Sequence, residues 1–393
     1  MNTGDIFLDT MNVPFHEPYV GEEEKALVSE TIESCWLTMG PRTFEFESAF
    51  GEYLGSRNAV AVNSCTAAIH LSLRIIGIKP GDEVLVPAIN FASAGEVCCQ
   101  EGAKPVLVDV EKENGNIYVT ALKKVITKRT KAIIPVHYGG QPCDMDEILE
   151  LAKIKGIYVI EDAAHALPSF YKGRKIGTIG DIGCFSFYAT KTLTTGEGGM
   201  IVTENDEWAE RMRILRLHGI SKDAWKRYSD EGDWYYEIVD LGYKYNMTDI
   251  QAAMGLAQLR KLEWMWEQRR RLAERYIAAF SGIDEIELPL IKDDRTTSWH
   301  LFPILLKLET LSIDRRRFVE LLKERGIGTS VHFIPLYRHP FYKKNFSYDA
   351  KDFPNSEWFY EREVSLPIYP SLSDTEQDYV IENILEICKK WKR

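Results

Sequence analysis

Seven short apolar runs lie between residues 59 and 203, and their arrangement constrains the fold more than any other feature. They read AVAV, EVLVP, KPVLVDV, AIIPVHY, IYVIED, CFSFY and GGMIVT, with amphipathic segments between the first five. The runs are apolar throughout rather than alternating, as strands are when helices cover both faces of a parallel sheet. Because strands that alternate with helices form βαβ units, the sequence predicts an α/β domain with a large, mostly parallel sheet.

Three segments carry helix-boundary signals. The segment 66–77 ends at Gly77, as a helix does at its C-cap. The segment 144–156 has Asp144 and Glu147 at capping-box spacing and ends at Gly156. Thr248 and Gln251 have the same spacing and open a helical pattern of about thirty residues.

After Pro289 the pattern changes. It predicts a strand WHLFPILL, a helix from Asp314 to Arg325, a strand IGTSVHF and a last helix that begins at Ser373. These elements are typical of a smaller α+β domain. We therefore expect two domains. Residues 1–255 would form the large α/β domain with the N-terminal segment, and 256–393 the long linking helix and the small C-terminal domain.

The charge balance excludes several classes of protein. With 48 Lys and Arg against 59 Asp and Glu, the net charge of −11 argues against nucleic-acid binding, which needs a basic surface. No apolar run reaches the roughly 18 residues that span a bilayer, so no membrane partner is expected. The N-terminal MNTGDIFLDTMN has acidic residues and no apolar core, so we expect no secretion signal.

The cysteines and histidines give no sign of a metal site. The seven cysteines form no CxxC pair, and the eight histidines show no HxxxH or HxH spacing. Buried free thiols in a reducing compartment explain the odd number of cysteines better than disulfides do. We therefore expect a cytoplasmic protein without a metal.

Polar residues follow three of the predicted strands, at the edge where ligands bind in open α/β sheets. The segment 63–73, NSCTAAIHLSL, brings small polar residues to a helix N-terminus, which favours a phosphate. Asp162 ends another strand, and Lys191 follows a third. Singly, each also fits a structural role as an N-cap, a helix cap or a surface lysine.

Together, these three features match the needs of pyridoxal phosphate. Its phosphate would bind the helix N-terminus, its pyridine nitrogen Asp162 and its aldehyde Lys191. A lysine in a crowded strand-end site is desolvated and becomes nucleophilic, as Schiff-base chemistry requires. The sequence thus predicts a pyridoxal phosphate enzyme.

The sequence resembles the DegT/DnrJ/StrS family of sugar aminotransferases over nearly the whole chain. The matching segments include PGDEVLVPAINFASA, VIEDAAHALP, FSFYATKTL, GEGGMIVT, GYKYNMTDIQAAMGLAQL and SWHLFPI. The resemblance implies an aspartate-aminotransferase-like fold (fold type I) and a homodimer with shared active sites. It also implies pyridoxal phosphate as cofactor, with pyridoxamine phosphate as its intermediate form.

The resemblance further implies roles for individual residues. Lys191 and Asp162 would be catalytic, as the Schiff-base lysine and the partner of the pyridinium nitrogen. The other cofactor contacts would be Cys65, Thr66 and Ser186 at the phosphate, His165 at the ring 3′-oxygen, Phe91 stacked on the ring and Asn246 reaching the other subunit's cofactor. His332 and Trp36 are candidate sugar contacts, although each also fits a structural role.

The implied reaction transfers the amino group of L-glutamate to the ketone of a nucleotide-linked keto-sugar. The acceptor would be a 4-keto hexose or pentose, and the amino sugar would serve polysaccharide, glycolipid or glycan synthesis. One alternative is a pyridoxamine-phosphate-dependent sugar dehydratase, whose known examples replace the lysine with histidine, whereas Lys191 is present. The other is a regulatory member without turnover. A nicotinamide oxidoreductase is disfavoured because no GxGxxG follows the first strand.

Overall fold

The computed structural model describes residues 11–221 and 235–393. The expectation about a secretion signal concerns mainly residues 1–10, which lie outside the described residues. The helices are α1 Glu22–Glu33, α2 Pro41–Leu54, α3 Cys65–Ile75, α4 Ser93–Gln100, α5 Val119–Val125, α6 Met145–Lys155, α7 Asp206–Leu215, α8 Asp249–Arg260, α9 Leu262–Phe280, α10 Arg315–Glu324, α11 Pro340–Asn345, α12 Pro354–Arg362 and α13 Asp374–Lys390. Within the described ranges, none of these helices is both long enough and apolar enough to cross a bilayer.

The strands divide among three sheets. They are β1 Asn58–Val62, β2 Glu83–Pro87, β3 Lys104–Val108, β4 Thr130–Ile133, β5 Tyr158–Asp162, β6 Phe170–Tyr171, β7 Arg174–Lys175, β8 Ile182–Ser186, β9 Gly199–Thr203, β10 Ile286–Glu287, β11 Arg295–Thr296, β12 Phe302–Leu306 and β13 Glu363–Leu366. Seven form one sheet in the order β1-β9-β8-β5-β4-β2-β3. Strand β9 is antiparallel to both its neighbours, and all the other pairings are parallel. The predicted large, mostly parallel sheet is confirmed.

The apolar runs are continuous because both faces of this sheet are buried. Successive side chains of a strand point to opposite faces. In β1, Ala59 and Ala61 enter one apolar cluster, whereas Val60 and Val62 enter another. Each predicted run supplies one strand of this sheet.

A third apolar cluster surrounds the three-stranded antiparallel sheet β10-β12-β13. The predicted helices at 314–325 and after Ser373 are confirmed as α10 and α13. The side chains of Asp314 and Ser373 cap them by accepting hydrogen bonds from backbone N–H groups. The domain boundary at residue 255 stays a prediction.

Two predictions about length and pairing are wrong. The helical pattern that begins after Thr248 is not one helix, because α8 and α9 meet at Lys261, whose φ of −111° is not helical. The segment 327–333 is not a strand, because it pairs only through single-residue bridges from Ile327 to Val13 and from Ser330 to Ser365.

The predicted capping box at the start of α6 does not form. Asp144 is the N-cap residue, but its side chain makes no capping hydrogen bond. Its carboxylate instead pairs with Arg295 and Lys292, each at 2.7 Å. The competing partners are two cations from a distant segment, which local spacing does not reveal.

Candidate active site

A cavity of about 570 Å³ lies at the carboxyl ends of β1, β5 and β8. Eight of the ten residues predicted from the sequence line it: Cys65, Thr66, Phe91, Asp162, His165, Ser186, Lys191 and His332. The sheet brings them together because the carboxyl ends of parallel strands meet at one edge.

Free backbone donors at the start of α3 face this cavity. The side chain of the N-cap Ser64 accepts a hydrogen bond from Ala67 N at 3.1 Å, and Ser64 O accepts one from Ala68 N at 3.1 Å. The remaining first-turn groups, Cys65 N and Thr66 N, donate to no acceptor among the described residues. Unpaired N–H groups and the helix dipole both favour an anion, so this end of α3 fits a phosphate.

Gly199 allows the helix to start this close to the sheet. It is the first residue of β9 and pairs with Val62 on one side and Ser186 on the other. A Cβ atom at this position would lie 2.5 Å from Ser64 C and 2.7 Å from Cys65 N. A side chain here would therefore displace the backbone that carries the free donors.

Lys191 lies in the turn after β8, where its backbone N–H donates to Tyr188 O at 2.9 Å. Burial lowers the pKa of its amine to about 8, although the carboxylate of Asp162 favours the charged form. A far larger fraction of this amine is therefore unprotonated near neutral pH than of an ordinary lysine, and an unprotonated amine is the form that attacks a carbonyl.

Asp162 ends β5 and is 6% exposed. Its Oδ1 accepts a hydrogen bond from Ala164 N at 3.0 Å, whereas its Oδ2 receives none from the described residues. Burial raises the pKa of this carboxyl group, because the hydrogen bond from Ala164 and the nearby charge of Lys191 offset the desolvation only in part. A cationic N–H group in the cavity would supply the missing partner, so the residue fits the protonated nitrogen of a pyridine ring.

His165 presents a hydrogen-bond donor. Its Nδ1 lies 3.3 Å from Gly139 N, and because that backbone N–H can only donate, Nδ1 accepts. Burial lowers the pKa of the ring well below its ordinary value, so the imidazole is neutral and its proton is on Nε2. The Nε2–H group can donate to a ring oxygen of a bound cofactor.

Sequence reasoning missed several residues at this site. Phe15, His300 and Phe333 line the cavity, and His16 lies beside it with Nε2 3.3 Å from Ala189 O. His300 belongs to the matched segment SWHLFPI, which is the one signal that could have identified it. Nothing local indicates Phe15 or His16, because the fold brings them from the far N-terminal part of the chain.

The histidines around the cavity are all neutral. Burial, together with the charge of Arg269, lowers the pKa of His16 to about 4, and burial together with the charge of Lys191 lowers that of His332 to about 3. It lowers the pKa of His165 and His300 well below the ordinary value. Apart from the amine of Lys191, the cavity wall therefore offers uncharged imidazole groups rather than positive charge.

Two of the predicted site residues, Trp36 and Asn246, are not among the residues that line the cavity. The indole N–H of Trp36 donates to Met39 O at 3.2 Å. Asn246 pairs through its backbone with Val62, its Nδ2 donates to Met247 O at 3.3 Å, and its buried Oδ1 has no hydrogen-bond partner among the described residues. Their contacts with substrate or partner subunit stay predictions. In the same ranges, no group of three or more His, Cys, Asp or Glu residues is arranged to hold a metal ion.

The sequence matches the DegT/DnrJ/EryC1/StrS aminotransferase family over residues 18–385. The chain belongs to this family. It is 55% identical to the uncharacterized protein MJ1066 of Methanocaldococcus jannaschii over 378 residues, which are 96% of this chain and 98% of that protein. It is 48% identical to the spore coat polysaccharide biosynthesis protein SpsC of Bacillus subtilis, over 96% of this chain and 97% of SpsC.

Solved structures of the family share the fold. The PLP-form of Spr1654 from Streptococcus pneumoniae superposes with a TM-score of 0.91 at 34% identity, over 97% of this chain and 99% of that one. Its PMP-form also gives 0.91, at 35% identity, over 96% and 100%. The sugar aminotransferase CalS13 from Micromonospora echinospora gives 0.86 at 27% identity, over 95% and 99%. The predictions of fold type I, of an aminotransferase and of pyridoxal and pyridoxamine phosphate as cofactor forms are confirmed.

Proposed function

We propose that this protein transfers the amino group of L-glutamate to the ketone of a nucleotide-linked sugar. One observation carries the proposal: Lys191, Asp162 and the free N–H groups that begin α3 share one cavity. The names of SpsC and CalS13 support a sugar acceptor and a product destined for polysaccharide. A 4-keto hexose or pentose is the acceptor we favour.

The residues around the cavity fit the cofactor at each of its polar positions. Cys65 N and Thr66 N bind the phosphate, assisted by the Ser186 hydroxyl. Asp162 keeps a proton on the pyridine nitrogen, and His165 Nε2–H donates to the ring oxygen. Phe91, which is 64% exposed at the mouth of the cavity, covers one face of the ring. When bound, pyridoxal phosphate supplies an aldehyde that condenses with amines and a ring that withdraws electrons from the reacting carbon.

Lys191 performs two tasks in this proposal. Its amine holds the cofactor covalently between turnovers. Once released, the amine takes the proton from the Cα atom of glutamate and passes it to the C4′ atom of the cofactor. A pKa of about 8 suits both tasks, since the same group has to be a base and an acid near neutral pH.

We further propose a homodimer with shared active sites. Large apolar side chains are exposed next to the cavity and along the segment that leads to Asn246. Phe91 is 64% exposed, Tyr188 47%, Ile238 70% and Leu241 75%. Exposed apolar patches of this kind mark interfaces. In the dimer, the side chain of Asn246 would reach the phosphate of the partner's cofactor, and Leu241→Asp should shift sedimentation toward a monomer.

Buried thiols support the expected location. Five of the seven cysteines are buried, and all seven are free. Such thiols persist in a reducing compartment, so we place the enzyme in the cytoplasm.

Three outcomes of one experiment separate the candidate functions. The purified holoenzyme is incubated with L-glutamate and then with a panel of nucleotide-linked keto-sugars. We expect 2-oxoglutarate release, bleaching of the yellow colour and a sugar product that has gained nitrogen. A product that has lost water without gaining nitrogen would support the dehydratase. Cofactor binding without release of 2-oxoglutarate would support a member without turnover.

A further inference from the structure

A chain of buried hydrogen bonds connects His332 with a carboxylate behind the cavity wall. His332 Nδ1 lies 2.8 Å from Ser365 Oγ, and Ser365 Oγ lies 2.5 Å from Glu363 Oε1. Ser365 and Glu363 are on β13 and are fully buried, whereas His332 lines the cavity. The chain therefore runs from the small sheet to the substrate space.

The backbone fixes the geometry of this chain. Glu363 Oε2 accepts a hydrogen bond from His332 N at 2.8 Å, and the Tyr138 hydroxyl donates to His332 O. Ser330 and Ser365 also exchange backbone hydrogen bonds of 3.2 and 2.9 Å. His332 is therefore held from both its backbone groups and its Nδ1 atom, which leaves Nε2 as the atom available in the cavity.

In this series of hydrogen bonds, each group donates toward Glu363. An ionised carboxylate can only accept, so the Ser365 hydroxyl donates its proton to Glu363. The serine oxygen then has only acceptor capacity left, so His332 Nδ1 has to donate to it. A neutral imidazole carries one N–H, and burial keeps this ring neutral. His332 Nε2 is consequently unprotonated.

We propose that Glu363 and Ser365 are positioning residues, which fix the tautomer of His332 so that its Nε2 accepts a hydrogen bond from a hydroxyl group of the substrate. The identity of that substrate as a sugar rests on the function proposed above. His165 has the opposite tautomer and donates from Nε2. Of the histidines that line the cavity, His332 thus offers a hydrogen-bond acceptor and His165 offers a donor. A site that is built to accept from a hydroxyl rejects the analogue that lacks it.

Which groups donate in these hydrogen bonds depends on the ionisation of Glu363. The groups that face it are Tyr138, Arg315, His332 and Ser365. Burial raises its pKa to about 7, against the hydrogen bonds from Ser365 and His332 N and the charge of Arg315. A protonated carboxyl can donate to Ser365, which then donates to His332 Nδ1 and leaves a proton on Nε2. The tautomer should therefore invert as the pH falls through about 7.

Nitrogen NMR of the holoenzyme labelled with ¹⁵N-histidine tests the tautomer directly, because ring nitrogens with and without a proton differ strongly in shift. The His332→Gln variant identifies the His332 signals among those of the eight histidines. At about pH 8.5, where a Glu363 with a pKa near 7 is ionised, we expect Nδ1 to be protonated and Nε2 to be unprotonated. A wild-type signal with Nε2 protonated at this pH would overturn the proposal.

Three variants test which groups set the tautomer. In Glu363→Gln, the amide oxygen keeps the bond to His332 N, so the amide NH₂ faces Ser365 and reverses the chain. We expect a protonated Nε2 in this variant and a mixture of tautomers in Ser365→Ala. Ser365→Thr keeps the hydroxyl and should restore the wild-type tautomer. Variants that fold but all show the wild-type signals would refute the roles of both residues.

Kinetics connect the tautomer with the substrate. We expect Glu363→Gln to raise KM for the sugar roughly tenfold, as the loss of one hydrogen bond does, and far more than it slows the glutamate half-reaction. Equal losses in both half-reactions would indicate a merely structural role. A wild-type protein that fails to react with glutamate would refute the proposed function, but it would leave the tautomer measurement valid.

Discussion

Glu161 and Asp162 are adjacent on β5, but their carboxylates point to opposite sides of the sheet and differ in how many hydrogen-bond donors surround them. Glu161 is fully buried on the side away from the cavity. Its Oε1 accepts from Ile179 N at 2.7 Å and Gly180 N at 2.6 Å, and its Oε2 accepts from Gly177 N at 3.0 Å.

The same Oε2 atom lies 3.2 Å from His137 Nε2, so the carboxylate of Glu161 has four partners. Burial alone would raise its pKa, but the hydrogen bonds from His137 and the backbone hold that pKa below the ordinary value. Asp162 has one donor for two oxygens, and burial raises its pKa. The difference shows that Glu161 is completed by the fold, whereas Asp162 is completed only by a ligand.

The largest expected effect is on the cavity side, at Lys191. Lys191→Ala should reduce turnover essentially to zero, because the same amine holds the cofactor and moves the proton. Its unfolding free energy should not fall, since a desolvated amine is removed. The measurements are 2-oxoglutarate release and chemical denaturation, with Lys344→Ala on the exposed face of α11 as control. A borohydride-labelled peptide without Lys191 would contradict the assignment.

Asp162→Asn tests the unsatisfied carboxylate directly. The neutral amide cannot keep the pyridine nitrogen protonated, and a cost of about 4 kcal/mol in the transition state is roughly a thousandfold in rate. Stability at neutral pH should stay the same or rise, because the ionised form is disfavoured by burial. Activity within a few-fold of wild type would assign the role of Asp162 to another residue.

Glu161→Gln tests the satisfied carboxylate. In the wild type, backbone N–H groups donate to both oxygens of Glu161. In the variant, the amide NH₂ would replace one of these acceptors and face donors, so we expect a loss of about 3 kcal/mol in unfolding free energy. The rate per folded molecule should change only a few-fold, which an active-site titration measures. If Glu161→Gln instead loses activity as Asp162→Asn does, the comparison fails.

The pH dependence of stability should have opposite signs for the two residues. The pKa of Glu161 is lowered on folding, so its stabilisation is present above the unfolded pKa of 4.5 and disappears as the pH falls. The pKa of Asp162 is raised, so its contribution is fully present below the unfolded value of 3.8 and is lost as the pH rises through the folded value. Denaturation of cofactor-free wild type and both variants across the acid range measures these slopes. Equal slopes would contradict the contrast.

The sequence predicts what local pattern determines. Strands such as β1 are buried on both faces, so every residue of the run is apolar, and no tertiary information is needed to find them. The break at Lys261 carries no such signal, because Arg260, Lys261 and Leu262 all favour helix. The segment 327–333 has a strand-like local pattern, but the predicted strand is wrong because its pairing with distant partners is limited to single-residue bridges.

The candidate site divides in the same way. Asp162 and Lys191 were predictable because they end or follow strands at one edge of the sheet, whereas Ser186 was implied only by the family resemblance. Glu363 and Ser365 were not, because their importance lies in contacts with His332 across 31 and 33 positions of the chain. Lining residues from the N-terminal part, such as Phe15, are likewise brought in only by the completed fold.

The pairing of Gly199 on β9 fixes the relative positions of two parts of the candidate site. Val62, which leads into α3, and Ser186, which leads toward Lys191, are both in register with this one glycine. An inserted residue would slip the ladder by about 3.3 Å and exchange its two faces. A shift of this size is longer than a typical hydrogen bond. The start of α3, which would hold the phosphate, and the amine of Lys191 would then no longer fit the same bound cofactor. We therefore expect an insertion in β9 to be tolerated far less well than one in a surface loop.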